Sequence, residues 1–248
     1  MIKGLQTAEA AMRPKLMRME LIANNLANVN TTGFKRDRLF VQMLKDSTAG
    51  KTDAAGDLDG VQVTQGVDFS DGSLRQTGNP LDVALQGRGF FTVNTPGGLR
   101  YTRSGSFRLS PDGSLVNTDG YQVMGTAGAI RFPDMQKLQQ ATVSISDAGE
   151  VTIDRDTVGK IRVVDFADVS ALRKESASLF EAAPGASEVE GPGSLSGVKQ
   201  GFLEESNVNG VEEMIAMTEL QRSFDTDQKV LQAMDDSVAK SLEVGRLS

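Results

Sequence analysis

The sequence predicts an α+β fold: paired N- and C-terminal α-helices, coiled-coil-like in their spacing, with an inserted, mainly antiparallel β domain. Three observations predict it. Apolar residues recur every seven positions near both ends of the chain, which is the spacing of a helical seam. In the middle the apolar period changes from seven to two, as in strands. Stretches rich in Gly, Ser, Ala, Asp or Pro separate these regions.

These regions divide the chain into four predicted parts. A terminal helical domain takes residues 1–34 together with residues 203–248. A linker with an extended β-hairpin region takes residues 35–78, and the β domain takes residues 79–182. A return linker at residues 183–202 leads back to the last helix.

The first helix is predicted to run from about residue 3 to residue 28. Pro14 predicts a kink or a break in it, because proline lacks a backbone N–H and crowds the preceding turn. The turn residues at 30–33 end the helix, and Phe34 is expected to pack back on it. The apolar seam consists of Leu5, Met12, Met19 and Leu26, with Leu16, Ile22 and Val29 in the adjoining stripe.

The last helix is predicted within residues 211–242, which contain neither Gly nor Pro. Residues 1–38 hold seven Lys or Arg and three Asp or Glu, a net charge of +4. Residues 203–248 hold ten Asp or Glu and four Lys or Arg, a net charge of −6. Opposite charges and two apolar seams favour pairing of the helices, and two core helices of an ordinary globule are the alternative. The second seam consists of Met217, Leu220, Phe224, Leu231, Met234 and Val238.

The middle of the chain is predicted to form many short strands. Residues 46–60, rich in Ser, Thr, Ala, Gly and Asp, predict an exposed loop before them. Asp112-Gly113 and Asp119-Gly120 predict hairpin turns rather than calcium or sugar sites, because they lack the dense oxygen ligands of a calcium loop. Short strands with such turns indicate an antiparallel sandwich or a partly open barrel.

The composition of the chain argues against several classes of function. The 248 residues carry a net charge of −7, which argues against nucleic acid or an anionic membrane as the main partner. The chain has no Cys and no His, which removes thiolate chemistry and the usual general base. We therefore expect no enzyme activity, no catalytic residues, no bound metal and no cofactor. Residues 1–20 are too charged for a secretory signal, and no stretch predicts a membrane span.

Seven blocks of sequence resemble one known family. Residues 22–35 read IANNLANVNTTGFK, residues 79–85 read NPLDVAL, and residues 87–91 read GRGFF. Later blocks are YTRSGSF from residue 101, DGY from 119, ESNVN from 205 and LQRSF from 220. In this order they are similar to bacterial flagellar basal-body rod and hook proteins. The chain is shorter than hook proteins and looks most like the proximal rod protein, with the distal rod protein close behind.

The resemblance implies a structural axial subunit of the flagellar rod that polymerises helically through its terminal helices, which would line an inner tube. It implies copies of itself, other rod and hook proteins and the flagellar type III export apparatus as partners. It also implies a place in the periplasm-spanning rod, reached without a cleaved signal peptide. The proximal rod is the favoured position. The alternatives are a distal rod subunit or, in other classes, a sugar-active enzyme or an adhesin built on the β domain.

Subunit contacts are expected along both seams and at the end of the first helix. The predicted interface residues are Leu5, Met12, Met19, Ile22, Asn25, Leu26, Phe34, Met217, Leu220, Phe224, Leu231, Met234 and Val238.

Overall fold

The computed structural model describes the backbone of residues 2–43, 61–132, 142–154, 156–190 and 197–246. Side chains are described for residues 12–40, 64–132, 142–154, 156–189 and 197–233. The loop predicted at residues 46–60 lies outside these ranges.

The chain divides into two compact units. The first, here called the helical unit, comprises Met1–Ala27, Asp37–Gly66 and Asn209–Ser248. The second, called the β unit, comprises Asn28–Arg36 and Val67–Val208. Both α-helices of the described chain lie in the helical unit.

The helical unit combines two helices with a small sheet. Helix α1 (Ile2–Ala27) contacts helix α2 (Gly210–Arg246) and strand β1 (Asp37–Met43). Strand β1 pairs with β2 (Val61–Val67). Helix α1 continues as one helix through Pro14, so the predicted break does not occur there.

Helix α2 begins with a capping residue. The side-chain Oδ1 of Asn209 accepts a hydrogen bond from the backbone N–H of Val211 at 3.1 Å. This satisfies one of the N–H groups that have no partner within the helix. Glu212 and Glu213 follow in the first turn, where negative charge interacts favourably with the helix dipole.

The β unit contains the remaining strands and a 3₁₀ turn at Val169–Ala171. Its strands are β3 (Leu74–Gln76), β4 (Val83–Gln86), β5 (Phe90–Thr95), β6 (Gly98–Thr102), β7 (Arg108–Leu109), β8 (Leu115–Val116), β9 (Gln122–Gly125), β10 (Gly128–Ala129), β11 (Val143–Ile145), β12 (Glu150–Ile153), β13 (Asp156–Lys160), β14 (Val163–Phe166), β15 (Leu172–Lys174), β16 (Leu179–Ala182), β17 (Glu188–Glu190), β18 (Gly197–Gln200) and β19 (Phe202–Glu204).

These strands form four sheets whose described pairings are antiparallel. The largest has ten strands, with the order β15-β16-β6-β5-β9-β8-β7 along its main path. Strand β10 pairs with β9, and β14 pairs with both β5 and β17. Strands β11, β12 and β13 form a second sheet. Two further pairs join β4 to β18 and β3 to β19.

The Asp-Gly pairs form turns, as predicted. Between β7 and β8 the N–H of Gly113 donates to the carbonyl of Ser110 at 2.9 Å. Between β8 and β9 the N–H of Gly120 donates to the carbonyl of Asn117 at 3.1 Å. Both glycines have positive φ, which explains the residue type at these positions.

Strand β5 lies between two apolar cores. Phe91 and Val93 belong to the larger core cluster, whereas Phe90 belongs to a smaller, aromatic one. The rings of Phe166 and Phe180 pack edge to face on Phe90, with centroids 6.0 and 5.8 Å away. Successive side chains of a strand point to opposite faces. The apolar run of β5 therefore follows from burial on both faces.

A buried ion pair joins distant stretches of the β unit. Lys35 is fully buried, and its Nζ donates to Glu204 Oε1 and to the carbonyl of Ser70, each at 2.6 Å. The same carboxylate oxygen accepts the backbone N–H of Gly72 at 3.0 Å. Burial lowers the pKa of Lys35, and the Glu204 charge opposes that shift. The two charges are thus buried together although removing them from water costs free energy.

Arg103 brings a third charge to this cluster. It is buried, and its Nη2 donates to Asp71 Oδ1 at 3.0 Å. Its Nη1 lies 3.7 Å from Glu204 Oε2. We call Lys35, Arg103 and Glu204 the ionic cluster.

The predicted fold class is wrong. An α+β arrangement of coiled-coil-like terminal helices with one inserted β domain does not describe a chain of nineteen described strands and two α-helices. The helices share their unit with a two-stranded sheet, and strands also occur in the predicted return linker. A seven-residue repeat identifies the apolar face of a helix but not what covers it, which is why the repeat misled the prediction.

Gly33 occupies a position that no other residue fits. Its φ is +68°, and an added Cβ would lie 2.3 Å from the backbone nitrogen of Ser104. Its N–H donates to the carbonyl of Glu204 at 2.8 Å. The backbone of the turn therefore touches two distant segments of the β unit directly.

We predict that Gly33→Ala destabilises the β unit more than Gly78→Ala. Gly78 has a similar φ of +73°, but nothing lies within 4 Å of its added Cβ. Gly78→Ala should cost about 1–2 kcal/mol for the left-handed backbone, and Gly33→Ala at least about 1–3 kcal/mol more for the clash. Urea unfolding followed by tyrosine fluorescence measures this, because Tyr101 and Tyr121 both lie in the β unit. Equal losses would contradict the close approach at Gly33.

We predict that Glu204→Gln lowers the free energy of unfolding of the β unit by about 3–5 kcal/mol, because it leaves the Lys35 ammonium buried without its counter-charge. The matched control is the neighbouring Glu205→Gln. Glu205 pairs with Arg75 at 3.1 Å, and both side chains are about half exposed. The control should change stability by less than about 1 kcal/mol. Similar effects of the two variants would show that the buried pair is not critical.

Candidate assembly surface

The side chains between α1 and α2 are only partly buried. Ile22 on α1 and Leu220 on α2 are buried. Six other predicted interface residues keep partial exposure, namely Met12, Met19, Leu26, Met217, Phe224 and Leu231. The side chains of three more lie outside the described ranges: Leu5, Met234 and Val238. Apolar surface therefore remains along both helices.

Asn25 has an internal role. Its Oδ1 accepts the backbone N–H of Asp37 at 2.9 Å, and its Nδ2 donates to the carbonyl of Asp37 at 3.0 Å. The same Nδ2 lies 3.4 Å from Glu213 Oε1 on α2. Asn25 and Glu213 are both buried. This amide thus fixes the start of β1 and the first turn of α2 against α1, and it has little surface left for a neighbour.

Phe34 lies in the β unit rather than on the helical surface. It is fully buried, and Lys174 Nζ lies 3.6 Å from the centroid of its ring. A cation at this distance over an aromatic face is favourable. Because Phe34 exposes no surface, it cannot contact a second molecule directly.

Among the described side chains, one salt bridge joins α1 to α2. Lys15 Nζ bonds to Asp227 and, at 2.7 Å, to Ser223 Oγ. Arg13 and Arg18 on α1 are exposed, as are Glu212 and Glu219 on α2. No salt bridge of these four residues is found within the described part of the chain.

A cavity opens where α1, α2 and β1 meet. Its volume is about 340 Å³. Pro14, Leu39, Ala216 and Leu220 supply its apolar walls, and Arg18 is among its polar lining residues. The small side chain of Ala216 leaves space that a larger residue would fill. We call this the interhelix cavity.

Helix α2 carries a second apolar face that the seam does not include. Val211, Met214 and Ile215 are 63%, 51% and 56% exposed. The i, i+3, i+4 spacing places them on one side of the helix. We call these three residues the outer patch. On α1, Leu16 and Met17 are also exposed.

The sequence prediction missed the outer patch, although its spacing is visible in the sequence. The seven-residue repeat of α2 is longer than this stripe of three residues and does not include it. The ionic cluster was missed for a different reason. Lys35 and Glu204 are separated by 169 positions, and no local pattern links them.

Three family models match the chain in order. The model described as flagella basal body rod protein matches residues 5–35. The flagellar hook protein FlgE/F/G D1 domain matches residues 84–153, and the flagellar basal body rod FlgEFG protein C-terminal model matches residues 199–243. The flagellar basal-body rod protein FlgG of Bacillus subtilis is 33% identical over 99% of this chain and 100% of its own length. The chain belongs to the flagellar basal-body rod protein family.

Other relatives agree with this membership. The rod protein FlgG of Borreliella burgdorferi is 34% identical over 95% of this chain and 96% of its own length. The rod protein FlgF of Caulobacter vibrioides is 33% identical over 86% of this chain and 85% of its own length. The predicted resemblance is confirmed. The relatives are named as rod proteins, which confirms a structural protein of the flagellar basal body rather than an enzyme.

Membership of the rod family also indicates assembly with other axial flagellar proteins. Neither described helix is both long and apolar enough to span a membrane. In the described residues, no group of three or more Asp or Glu is arranged to hold a metal ion.

We predict that Asn25→Asp destabilises the helical unit more than Asn25→Ala. Losing both amide bonds to Asp37 should cost about 1–3 kcal/mol in Asn25→Ala. Asn25→Asp keeps an oxygen that can accept the Asp37 N–H, but it replaces the Nδ2 donor with a carboxylate oxygen against the Asp37 carbonyl. The carboxylate of Asn25→Asp adds a buried negative charge facing Glu213, which like-charge repulsion penalises further. Helical circular dichroism during urea unfolding measures the effect, because both described helices lie in this unit. Gln221→Ala, at an exposed site on α2, is the control and should change little.

Proposed function

We propose that the chain is an axial subunit of the flagellar rod that polymerises helically through α1 and α2. One observation carries the proposal: both helices of the helical unit retain exposed apolar side chains after they have packed on each other. These are Leu16, Met17, Val211, Met214 and Ile215. Val211, Met214 and Ile215 lie together on one side of α2. Such a group of exposed apolar side chains marks an interaction site, and the relatives are rod proteins.

The partly exposed seam residues belong to this interface in the proposal. Met19, Met217 and Phe224 are neither buried in the chain nor fully exposed. Full burial of such side chains contributes about 1.5–3 kcal/mol each. Met12, Leu26 and Leu231 have the same partial burial. The interface is proposed to extend along the helices to Leu5, Met234 and Val238.

The proposed partners are further copies of this chain and other rod and hook proteins. Copies that repeat one contact by a rotation and a rise form a filament, whereas a two-fold contact closes on itself. Torque then passes through many parallel interfaces and needs no chemical step. The family resemblance further supports a location in the rod that crosses the periplasm, and delivery by the flagellar type III export apparatus without a cleaved signal peptide.

The position along the rod has two candidates. The segment from Phe34 to Gly89 is shorter than expected for the distal rod protein, and residues 68–80 look like the proximal rod protein. Both observations favour the proximal rod. The matches to FlgG proteins, which the family resemblance associates with the distal rod, favour the distal position. The FlgG protein of Bacillus subtilis aligns over 99% of the chain, compared with 86% for FlgF of Caulobacter vibrioides. Labelling of this chain in isolated basal bodies, viewed by electron microscopy, separates the two positions.

We predict that Phe224→Asp blocks incorporation into rods while the β unit stays folded, because a carboxylate replaces an apolar contact at the interface. Cells that make the variant as their only copy should lack complete rods and should not swim. Gln221→Asp introduces the same charge at an exposed site one turn earlier, and it should preserve swimming. Normal rods with Phe224→Asp would refute the proposed interface.

A further inference from the structure

We infer that residues 33–36 and 204–207 form a mechanical clamp, which keeps the β unit folded when the chain is pulled through α1 and α2. The inference rests on the proposed function for the source of the load, because torque strains a rod subunit through its helices. The two segments lie where the chain enters and leaves the β unit. Helix α1 ends at Ala27 and α2 begins at Gly210, so each helix leads into one of the segments.

Two backbone hydrogen bonds join the segments directly. The N–H of Gly33 donates to the carbonyl of Glu204 at 2.8 Å. The N–H of Asn207 donates to the carbonyl of Phe34 at 3.4 Å. A step forward on the first segment thus goes with a step forward on the second, whereas antiparallel segments would reverse this order. The two segments therefore run in the same direction.

This common direction decides how a load acts on the bonds. A pull through α1 acts on the N-terminal end of the first segment, and a pull through α2 acts on the C-terminal end of the second. Because the segments run in the same direction, the two pulls slide one segment along the other. Sliding strains all the bonds between the segments at once, whereas peeling would break them one at a time. The clamp therefore resists the pull better than the same bonds would in a hairpin.

The side chain of Asn207 adds three hydrogen bonds to the clamp. Its Oδ1 accepts the backbone N–H of Arg36 at 2.8 Å. Its Nδ2 donates to the carbonyls of Asp68 and Ser70 at 2.9 and 3.0 Å. The carbonyl of Arg36 in turn accepts the backbone N–H of Asp68 at 2.8 Å. One amide thus ties the second segment both to the first and to the chain that follows β2.

The buried ion pair lies across the same two segments. Lys35 belongs to the first and Glu204 to the second, and both side chains are buried. Sliding would separate Lys35 Nζ from Glu204 Oε1, which are 2.6 Å apart. Separating two charges inside the protein is costly, because neither has water to replace its partner. This cost arises at the start of the movement and so raises the barrier to unfolding.

Single-molecule force spectroscopy tests the clamp on the full-length chain. The chain has no native Cys. Handles can therefore be attached through Glu20→Cys on α1 and Gln221→Cys on α2, which are both exposed sites. The event to follow is the one that releases the chain between residues 36 and 204. The rate of forced unfolding reports the barrier to unfolding rather than the net stability.

We expect Asn207→Ala to speed this event by at least about tenfold at a fixed force, because it removes several hydrogen bonds that break during the slide. Val151→Ala is the control. Val151 is fully buried in β12, so this variant should lower stability in urea, measured by tyrosine fluorescence. It should leave the rate under force unchanged, because the core is still packed when the clamp breaks. If Asn207→Ala does not fold, Asn207→Ser is measured in its place and should also speed the event.

The outcomes separate this inference from the proposed function. An unchanged rate under force in the Asn207 variant would overturn the clamp. An equal acceleration by Val151→Ala would also overturn it, because the core would then set the barrier. Both results leave the proposed function standing, since the measurement involves no assembly. A chain that never enters basal bodies would instead refute the proposed function, and the clamp would still be decided by the rates under force.

Discussion

The β unit depends on the ion pair between Lys35 and Glu204. A charge pair with both partners out of water contributes little net stability, because desolvation offsets most of the attraction. The pair instead disfavours other folds, because a fold that buried one partner without the other would carry an uncompensated charge. The three members of the ionic cluster also come one from each of the regions that the three family models match. The cluster therefore fixes how the start, middle and end of the chain meet.

The helical unit uses polar and apolar contacts for different purposes. The hydrogen bonds of Asn25 to the Asp37 backbone, and its contact with Glu213, set the register of α1 against β1 and α2. Because hydrogen bonds are directional, a shift of α1 along β1 or α2 would break them. The apolar seam, by contrast, is only partly covered within one chain. Because the polar contacts already specify the internal register, the apolar faces need not be buried within the chain, and in the proposed assembly a neighbour covers them.

Much of the local structure could be predicted from the sequence, and most of the long-range structure could not. Periodicity identified both helices and placed Ile22 and Leu220 on their buried faces, and Asp-Gly pairs identified the hairpin turns. The fold class failed because heptads do not say what a helix packs against. The composition of the Gly- and Ser-rich segment before residue 202 predicts a linker, yet β18 within it pairs with β4. There the pairing depends on a partner strand more than a hundred positions away, which composition does not reveal.

In the proposed assembly, the free energies of burial and of association explain why a subunit can stay separate until it reaches the growing end of a filament. Three patch side chains contribute about 1.5–3 kcal/mol each when fully buried, whereas association costs about 4–15 kcal/mol in lost translational and rotational freedom. Burial of this patch against a single neighbour would therefore leave little or no net affinity. In the proposed filament a joining subunit would meet several neighbours at once, so the cost of immobilising it would arise only once while the contacts add. In the proposed assembly, weak single contacts would thus restrict growth to the end of the filament.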